Sequence, residues 1–111
     1  MYQLALEISG FDVLPAYDGA QAIEGARSRL PDAIVLDLRL PDMSGWEVCA
    51  RLKSDARTQQ IPIIILTAVA SVTLPQQSKA AGCAAHLVKP CIPDLLTRTV
   101  QDVIGRTTSR P

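Results

Sequence analysis

The sequence lacks an excess of charge of either sign, because its 11 basic and 11 acidic residues cancel. It also lacks an apolar run near the roughly 18 residues that suggest a membrane span. No basic segment followed by an apolar one opens the chain, so we expect no signal peptide. Without a basic excess there is no electrostatic reason to expect nucleic acid or an anionic membrane as a partner.

Cysteine and histidine are also scarce. The three cysteines, Cys49, Cys83 and Cys91, are odd in number and show no C-x-x-C spacing, so we expect no disulfide framework. We interpret them as small core residues of a protein from the reducing cytoplasm. The one histidine, His86, has no cluster of cysteines or histidines around it, which argues against a zinc site.

What the chain does contain is an alternation of helical and strand patterns over 111 residues, which predicts one α/β domain with a parallel sheet. The domain is predicted to span residues 1–105, and residues 106–111 to form a tail or linker. The predicted helices are 2–9, 18–30, 45–53, 71–81 and 93–104, and the predicted strands are 11–15, 33–37, 62–66 and 86–88.

Capping patterns and apolar stripes support the helices. Asp18 with Gln21, and Ser44 with Glu47, form capping-box patterns, and Gly105 is the predicted stop of the last helix. The expected buried stripes are Leu4, Ala5 and Ile8; Ile23, Ala26 and Leu30; Val48, Cys49 and Leu52; and Leu96, Val100 and Val103.

Three of the predicted strands end on chemically useful residues, namely Asp37, Thr67 and Lys89. Ligands of an open α/β sheet bind at the carboxyl ends of its strands. A carboxylate, a hydroxyl and an ammonium at one edge suit the capture of a phosphoryl group. The chain has no G-x-G-x-x-G or G-x-x-x-x-G-K loop, which disfavours a binder of a small phosphorylated ligand.

Four motifs carry a family resemblance. They are GFDVLPAYDGAQAI, IVLDLRLPDMSGWEVC, PIIILTA and AAGCAAHLVKP, in that order and with family-like spacing. From residue 1 to about residue 104 the chain resembles the receiver domain of two-component response regulators. The resemblance implies a flavodoxin-like, doubly wound parallel sheet with strand order 2-1-3-4-5.

The resemblance also implies a mechanism. Asp37 would accept a phosphoryl group from the phosphohistidine of a histidine kinase or a phosphotransfer protein. Lys89 would bind the phosphoryl oxygens and Thr67 would donate its hydroxyl to them. Mg²⁺ would be held by Asp37 and the backbone carbonyl of Arg39. Such a domain is an enzyme at most toward its own phosphorylation and dephosphorylation.

Two further residues take roles from the resemblance. Thr67 and His86 would form the switch that changes a partner-binding face, and the Lys89–Pro90 bond is expected to be cis. His86 stands where the family usually has Tyr or Phe. A histidine there would make signalling pH-sensitive, or it is simply a tolerated half-buried ring; both interpretations stay open.

The chain departs from the family at its start, where a receiver has a first strand that ends in an acidic pair. Glu7, Asp12 and Asp42 are not expected to replace that pair, so Mg²⁺ binding should be weakened. Absence of the first strand would leave strand edges unpaired and favour a rearranged or domain-swapped homodimer. N-terminal truncation and natural degeneracy of the receiver both remain open explanations.

The missing acidic pair also leaves a second function open. The chain would then be a pseudo-receiver, a module for protein interaction or dimerisation that works without phosphorylation. Residues 106–111 are too few for a DNA-binding segment, so we expect no contact with DNA.

Overall fold

The computed structural model describes residues 2–68 and 71–108, and from residue 19 onward helices alternate with strands as the sequence predicts. The predicted tail therefore lies partly outside the described residues. The elements are α1 (Tyr2–Ile8), α2 (Gly19–Arg29), β1 (Ile34–Leu36), α3 (Gly45–Lys53), β2 (Ile63–Thr67), α4 (Leu74–Ala80), β3 (Ala85–Val88) and α5 (Pro93–Thr108).

The three strands form a parallel sheet in the order β1-β2-β3, with β2 in the centre. Ile34 is in register with Ile63 on one side, and Thr67 is in register with Val88 on the other. Every residue of β2 is buried. A central parallel strand is covered on both faces, which explains why this segment reads as an uninterrupted apolar run.

Helices cover both faces of the sheet, as the predicted doubly wound architecture requires. One face packs against α2 and α3 and the other against α1 and α5. The cluster on the first face includes Ile23, Leu36, Val48, Cys49, Leu52, Ile63 and Ile65. The cluster on the second face includes Leu6, Ile64, Leu66, Leu96, Val100 and Val103.

The predicted strand at residues 11–15 is wrong, because these residues form no strand. A strand needs a hydrogen-bonded neighbour. Within the described parts of the chain, β1 lies at the edge of the sheet and no strand pairs with its outer side. Phe11 and Val13 still pack against the second cluster, so their hydrophobic pattern reflects burial without pairing.

Three apolar residues of the predicted stripes are exposed. In α1, Leu6 is buried, whereas Leu4 and Ile8 are 61% and 77% exposed. Leu6 lies on the opposite side of a helix from Leu4 and Ile8, and the packing of α1 against α5 selects Leu6. Leu30 is also exposed, because it ends α2 in the left-handed conformation, with φ of 48°.

Two helix boundaries differ from the prediction. Helix α5 continues through Gly105 to Thr108, so the predicted stop is wrong. A glycine inside a helix costs only about 1 kcal/mol, and the buried Val100 and Val103 anchor this helix. Helix α4 is shorter than predicted and begins at Leu74, next to Pro75, which fits only the first turn.

The predicted helix caps are confirmed. Asp18 Oδ1 accepts a hydrogen bond from the Gln21 backbone N–H at 2.7 Å. Ser44 Oγ accepts one from the Glu47 backbone N–H at 3.2 Å. In the part of the chain that the structure describes, no helix has the length and apolar character for crossing a membrane.

Gly45 offers a test of how tightly the start of α3 packs on the loop that follows β1. A Cβ at this position would lie 2.8 Å from Leu38 Cα and closer still to the Asp37 carbonyl oxygen. Both neighbours are backbone, so they cannot yield by rotating a side chain. We therefore expect Gly45→Ala to lower the free energy of unfolding by about 1–3 kcal/mol in urea denaturation.

Gly25 is the matched control, because it lies inside α2 and an added Cβ would meet nothing within 4 Å. Gly25→Ala should raise the free energy of unfolding by about 0.5–1 kcal/mol, since alanine favours the helix. Equal effects of the two substitutions would contradict the assigned close approach at Gly45.

Candidate functional site

The carboxyl ends of the three strands meet at one edge of the sheet. Asp37 follows the last residue of β1, Thr67 is the last residue of β2, and Lys89 follows β3. The Lys89 backbone N–H donates to the Thr67 carbonyl oxygen at 2.7 Å. The structure therefore brings together the three residues that the sequence singled out for this edge.

Asp37 and Lys89 form an ion pair, although they are 52 positions apart in the chain. Lys89 Nζ donates to Asp37 Oδ2 at 2.8 Å, and each side chain is 33% exposed. The other carboxylate oxygen, Oδ1, accepts from the Arg39 backbone N–H at 3.0 Å. The pair is thus held in a fixed geometry and remains reachable from solvent.

The electrostatics of the site keep Asp37 ionised. Burial acts to raise the pKa of Asp37, but the hydrogen bond from Lys89 and the backbone hydrogen bond from Arg39 outweigh it. The positive charge of Lys89 and a backbone hydrogen bond from Leu38 act in the same direction, and the pKa ends below its ordinary value. An ionised carboxylate is the form that can act as a nucleophile.

Thr67 and His86 occupy different positions relative to this pair. Thr67 is fully buried at the end of β2, next to the Asp37–Lys89 edge. His86 is half-buried within β3, in register with Ile65. The Lys89–Pro90 peptide bond is cis, as expected.

Asp42 has a structural role that the sequence did not reveal. Its Oδ1 accepts from the Gly19 N–H at 2.7 Å, and its Oδ2 accepts from the Ala20 N–H at 3.0 Å. The hydrogen bond from Gly19 is the main reason why the pKa of Asp42 is lowered. Because both oxygens bind the first turn of α2, Asp42 is engaged away from Asp37. Only the tertiary contact between the loop and α2 shows this role.

The donor set at this edge does not by itself make a site for Mg²⁺. Among residues 2–68 and 71–108 there is no group of three or more His, Cys, Asp or Glu side chains placed to hold a metal ion. Glu7 and Asp12 are exposed. Asp37 is the carboxylate that follows a strand at this edge, and it is paired with Lys89, whereas Mg²⁺ prefers near-octahedral oxygen coordination.

A cleft of about 340 Å³ lies beside the Asp37 loop, between that loop and α4. Its walls combine apolar and hydroxyl-bearing side chains with one arginine. They are Leu38, Arg39, Trp46, Ser71, Thr73, Leu74 and Gln77. Trp46 is half-buried and contributes to the first core cluster as well as to the cleft.

Comparison with known proteins shows which family of domains the chain resembles. Residues 1–101 match the family described as the response regulator receiver domain. The polar-differentiation response regulator DivK of Brucella anthropi is 31% identical over 95% of this chain and 85% of its own length. The DNA-binding dual master transcriptional regulator RpaA of Synechocystis is 35% identical over the whole chain, which spans 46% of that protein.

A solved structure extends the similarity to the geometry. The receiver domain of the sensor histidine kinase PA1611 from Pseudomonas aeruginosa is 32% identical, with a TM-score of 0.83. The alignment covers 93% of this chain and 84% of that one. That structure contains a magnesium ion coordinated in its active-site cleft.

The ion pair at the strand ends can be tested through the titration of Asp37. Because the folded pKa of Asp37 lies below its unfolded value, the carboxylate stabilises the fold above the unfolded pKa. That contribution is lost as the pH falls through the folded pKa. Lys89→Met should raise the pKa of Asp37, since burial then acts without the lysine, and NMR titration of the carboxyl carbon measures it.

Lys79→Met is the matched control, because Lys79 is an exposed lysine in the last turn of α4. It should leave the titration of Asp37 unchanged. A pKa of Asp37 that does not move in Lys89→Met would show that the ion pair does not set its ionisation.

Proposed function

The chain belongs to the response regulator receiver domain family and is a receiver of two-component signal transduction, and we propose that Asp37 is its phosphoacceptor. The ion pair between Asp37 and Lys89 carries this proposal. It supplies an ionised carboxylate and a compensating cation at the carboxyl edge of the sheet, where ligands of this fold class bind. Receiver domains interact with histidine kinases or phosphotransfer proteins.

In the proposed step, a carboxylate oxygen of Asp37 attacks the phosphorus of a phosphohistidine. The new oxygen–phosphorus bond forms as the phosphorus–nitrogen bond breaks, and the imidazole leaves with the electron pair of that bond. Phosphoryl transfer depends mainly on positioning and charge compensation. Lys89 supplies the compensation by moving from Asp37 Oδ2 to the phosphoryl oxygens, where its ammonium acts as a point charge.

Thr67 is proposed to couple this chemistry to the rest of the domain. Its hydroxyl would donate to the phosphoryl oxygens, and its carbonyl already accepts from the Lys89 N–H. A shift of Thr67 would therefore act directly on the end of β3, two residues beyond His86. Through this contact, phosphorylation of Asp37 would change a partner-binding face next to β3.

Magnesium binding is proposed to be weak in this chain. The family binds Mg²⁺, and a similar receiver contains it in the active-site cleft. Here the described residues offer Asp37 and backbone carbonyls such as that of Arg39, which is a poor donor set for this cation. We therefore assign no step of the proposed transfer to a bound metal.

A phosphorylation-independent function is the second candidate, and the same donor set favours it. Without further acidic groups beside Asp37 in the described residues, a metal ion would assist phosphoryl transfer less. The outer edge of β1, with the exposed Val35, is unpaired among the described residues and can add a strand from a partner or from a second copy. The domain would then act as an interaction or dimerisation module.

Phosphorylation of the purified chain separates the two functions. After incubation with acetyl phosphate and Mg²⁺, intact mass spectrometry should show one phosphoryl group on the parent chain. Asp37→Asn should carry none, because the amide cannot act as the nucleophile. Lys89→Met should slow the reaction by roughly a hundredfold, as expected for loss of one charge-stabilising donor.

Asp32→Asn is the control, since Asp32 is exposed and lies before β1. It should be phosphorylated like the parent chain. An adduct that persists in Asp37→Asn would refute the assignment of the phosphoacceptor. The absence of an adduct on every variant would favour the interaction module.

The fluorescence of Trp46 provides a separate test of metal binding, because its ring lines the cleft together with Arg39. We expect weak quenching by Mg²⁺ that disappears in Asp37→Asn. Asp42→Asn should retain the response, because both Asp42 oxygens bind the N–H groups of Gly19 and Ala20. Loss of the response in a folded Asp42→Asn variant would show that Asp42 is a ligand.

A further inference from the structure

Two of the three cysteines meet away from the phosphorylation site. Cys49 Sγ and Cys83 Sγ lie 3.6 Å apart, although the residues are 34 positions apart in the chain. Cys49 is fully buried in α3, and Cys83 is half-buried between α4 and β3. Cys91 belongs to the hydrophobic cluster on the opposite face of the sheet, so the two faces keep it apart from this pair.

The surroundings of the pair favour loss of one proton. The two sulfurs share a hydrogen bond in which either can be the donor, and this contact lowers the pKa of Cys49 to about 7 against the opposing effect of burial. The positive charge of Lys53 acts in the same direction, whereas the contact with Cys49 raises the pKa of Cys83. The thiolate is the reactive form of cysteine.

We propose that Cys49 and Cys83 are a redox modification site, at which a peroxide converts the two thiols into a reversible disulfide between α3 and the segment after α4. The thiolate of the pair attacks one peroxide oxygen, the O–O bond breaks and hydroxide leaves. The resulting sulfenic acid is attacked by the second sulfur, which forms the S–S bond and releases the second oxygen as water. Two electrons pass from sulfur to peroxide, and the thiol protons end in two water molecules.

The geometry requires only a small movement to close this bond. A disulfide has an S–S length of about 2.05 Å, so the sulfurs must approach each other by roughly 1.5 Å. Cys83 lies in the connection between α4 and β3, next to Gly82, whose φ of 79° marks a turn. A turn can take up such a shift more easily than the buried helix that carries Cys49.

Closure would restrain α4 relative to α3. The cross-link joins the middle of α3 to the residue that follows the turn at the end of α4, and it encloses all of β2 and α4. The side chain of the N-cap residue of α4, Thr73, bonds to Ser71 and does not cap the helix, and the buried residues of α4 are Leu74 and Ser78. The same helix borders the cleft beside Asp37, so the disulfide would fix one wall of that cleft.

The test uses the native chain treated with equimolar hydrogen peroxide and then with N-ethylmaleimide. Two of the three thiols should become resistant to alkylation, peptide mapping should link Cys49 to Cys83, and dithiothreitol should restore all three thiols. The oxidised chain should melt roughly 10 °C higher, because the cross-link constrains the unfolded chain. Three alkylatable thiols, or a bridge to Cys91, would overturn the proposal.

Two variants distinguish specific oxidation of Cys49 and Cys83 from unspecific oxidation of any thiol in the chain. Cys91→Ser should form the same disulfide at the same rate as the parent chain. Cys83→Ser, which changes a half-exposed residue, should remain folded in a thermal melt and form no intramolecular disulfide. In guanidinium chloride the preference for the Cys49–Cys83 bridge should disappear. An equal mixture of bridges in the native chain would show that the folded contact does not direct oxidation.

Discussion

The parallel pairing of β2 with both of its neighbours is the constraint on which the rest of the structure depends. Burial on both faces holds β2 in the centre, and its register with β1 and β3 fixes where those strands end. Asp37, Thr67 and Lys89 consequently meet at one edge. A shift of one residue in either pairing would separate the Asp37 carboxylate from the Lys89 ammonium and turn apolar side chains from one face of the sheet to the other.

The loop between β1 and α3 converts this edge into a site. Gly45 lets the first turn of α3 approach the backbone of Asp37 and Leu38, and its N–H donates to the Leu38 carbonyl at 2.9 Å. Asp42 in the same loop binds the first turn of α2. The loop is therefore closed by the bond between Gly45 and Leu38 and anchored to α2 through Asp42, so the scaffold holds the Asp37 backbone in place.

Membership of the receiver family favours phosphoryl transfer to Asp37, whereas the side chains around Asp37 offer few ligands for the magnesium ion that the family binds. The ion pair keeps Asp37 ionised and close to a compensating cation, which suits a phosphoacceptor. Weak magnesium binding is the proposed counterpart, because the described residues show no group of three or more His, Cys, Asp or Glu side chains placed to hold a metal ion. On the first face of the sheet, a disulfide between Cys49 and Cys83 would restrain α4, the helix that borders the cleft. Oxidation would then act on this region in addition to phosphorylation.

The sequence by itself determined the fold class, the helix caps at Asp18 and Ser44, and the position of Asp37, Thr67 and Lys89 at strand ends. Hydrophobic periodicity, capping chemistry and strand ends are local properties of the sequence. It did not determine that Leu6 rather than Leu4 is buried, that residues 11–15 form no strand, or that α5 continues through Gly105. Those outcomes depend on which surface each segment meets. The roles of Asp42 and of the contact between Cys49 and Cys83 were decided only by tertiary structure, because their partners are 22 or more positions away and no local pattern marks them.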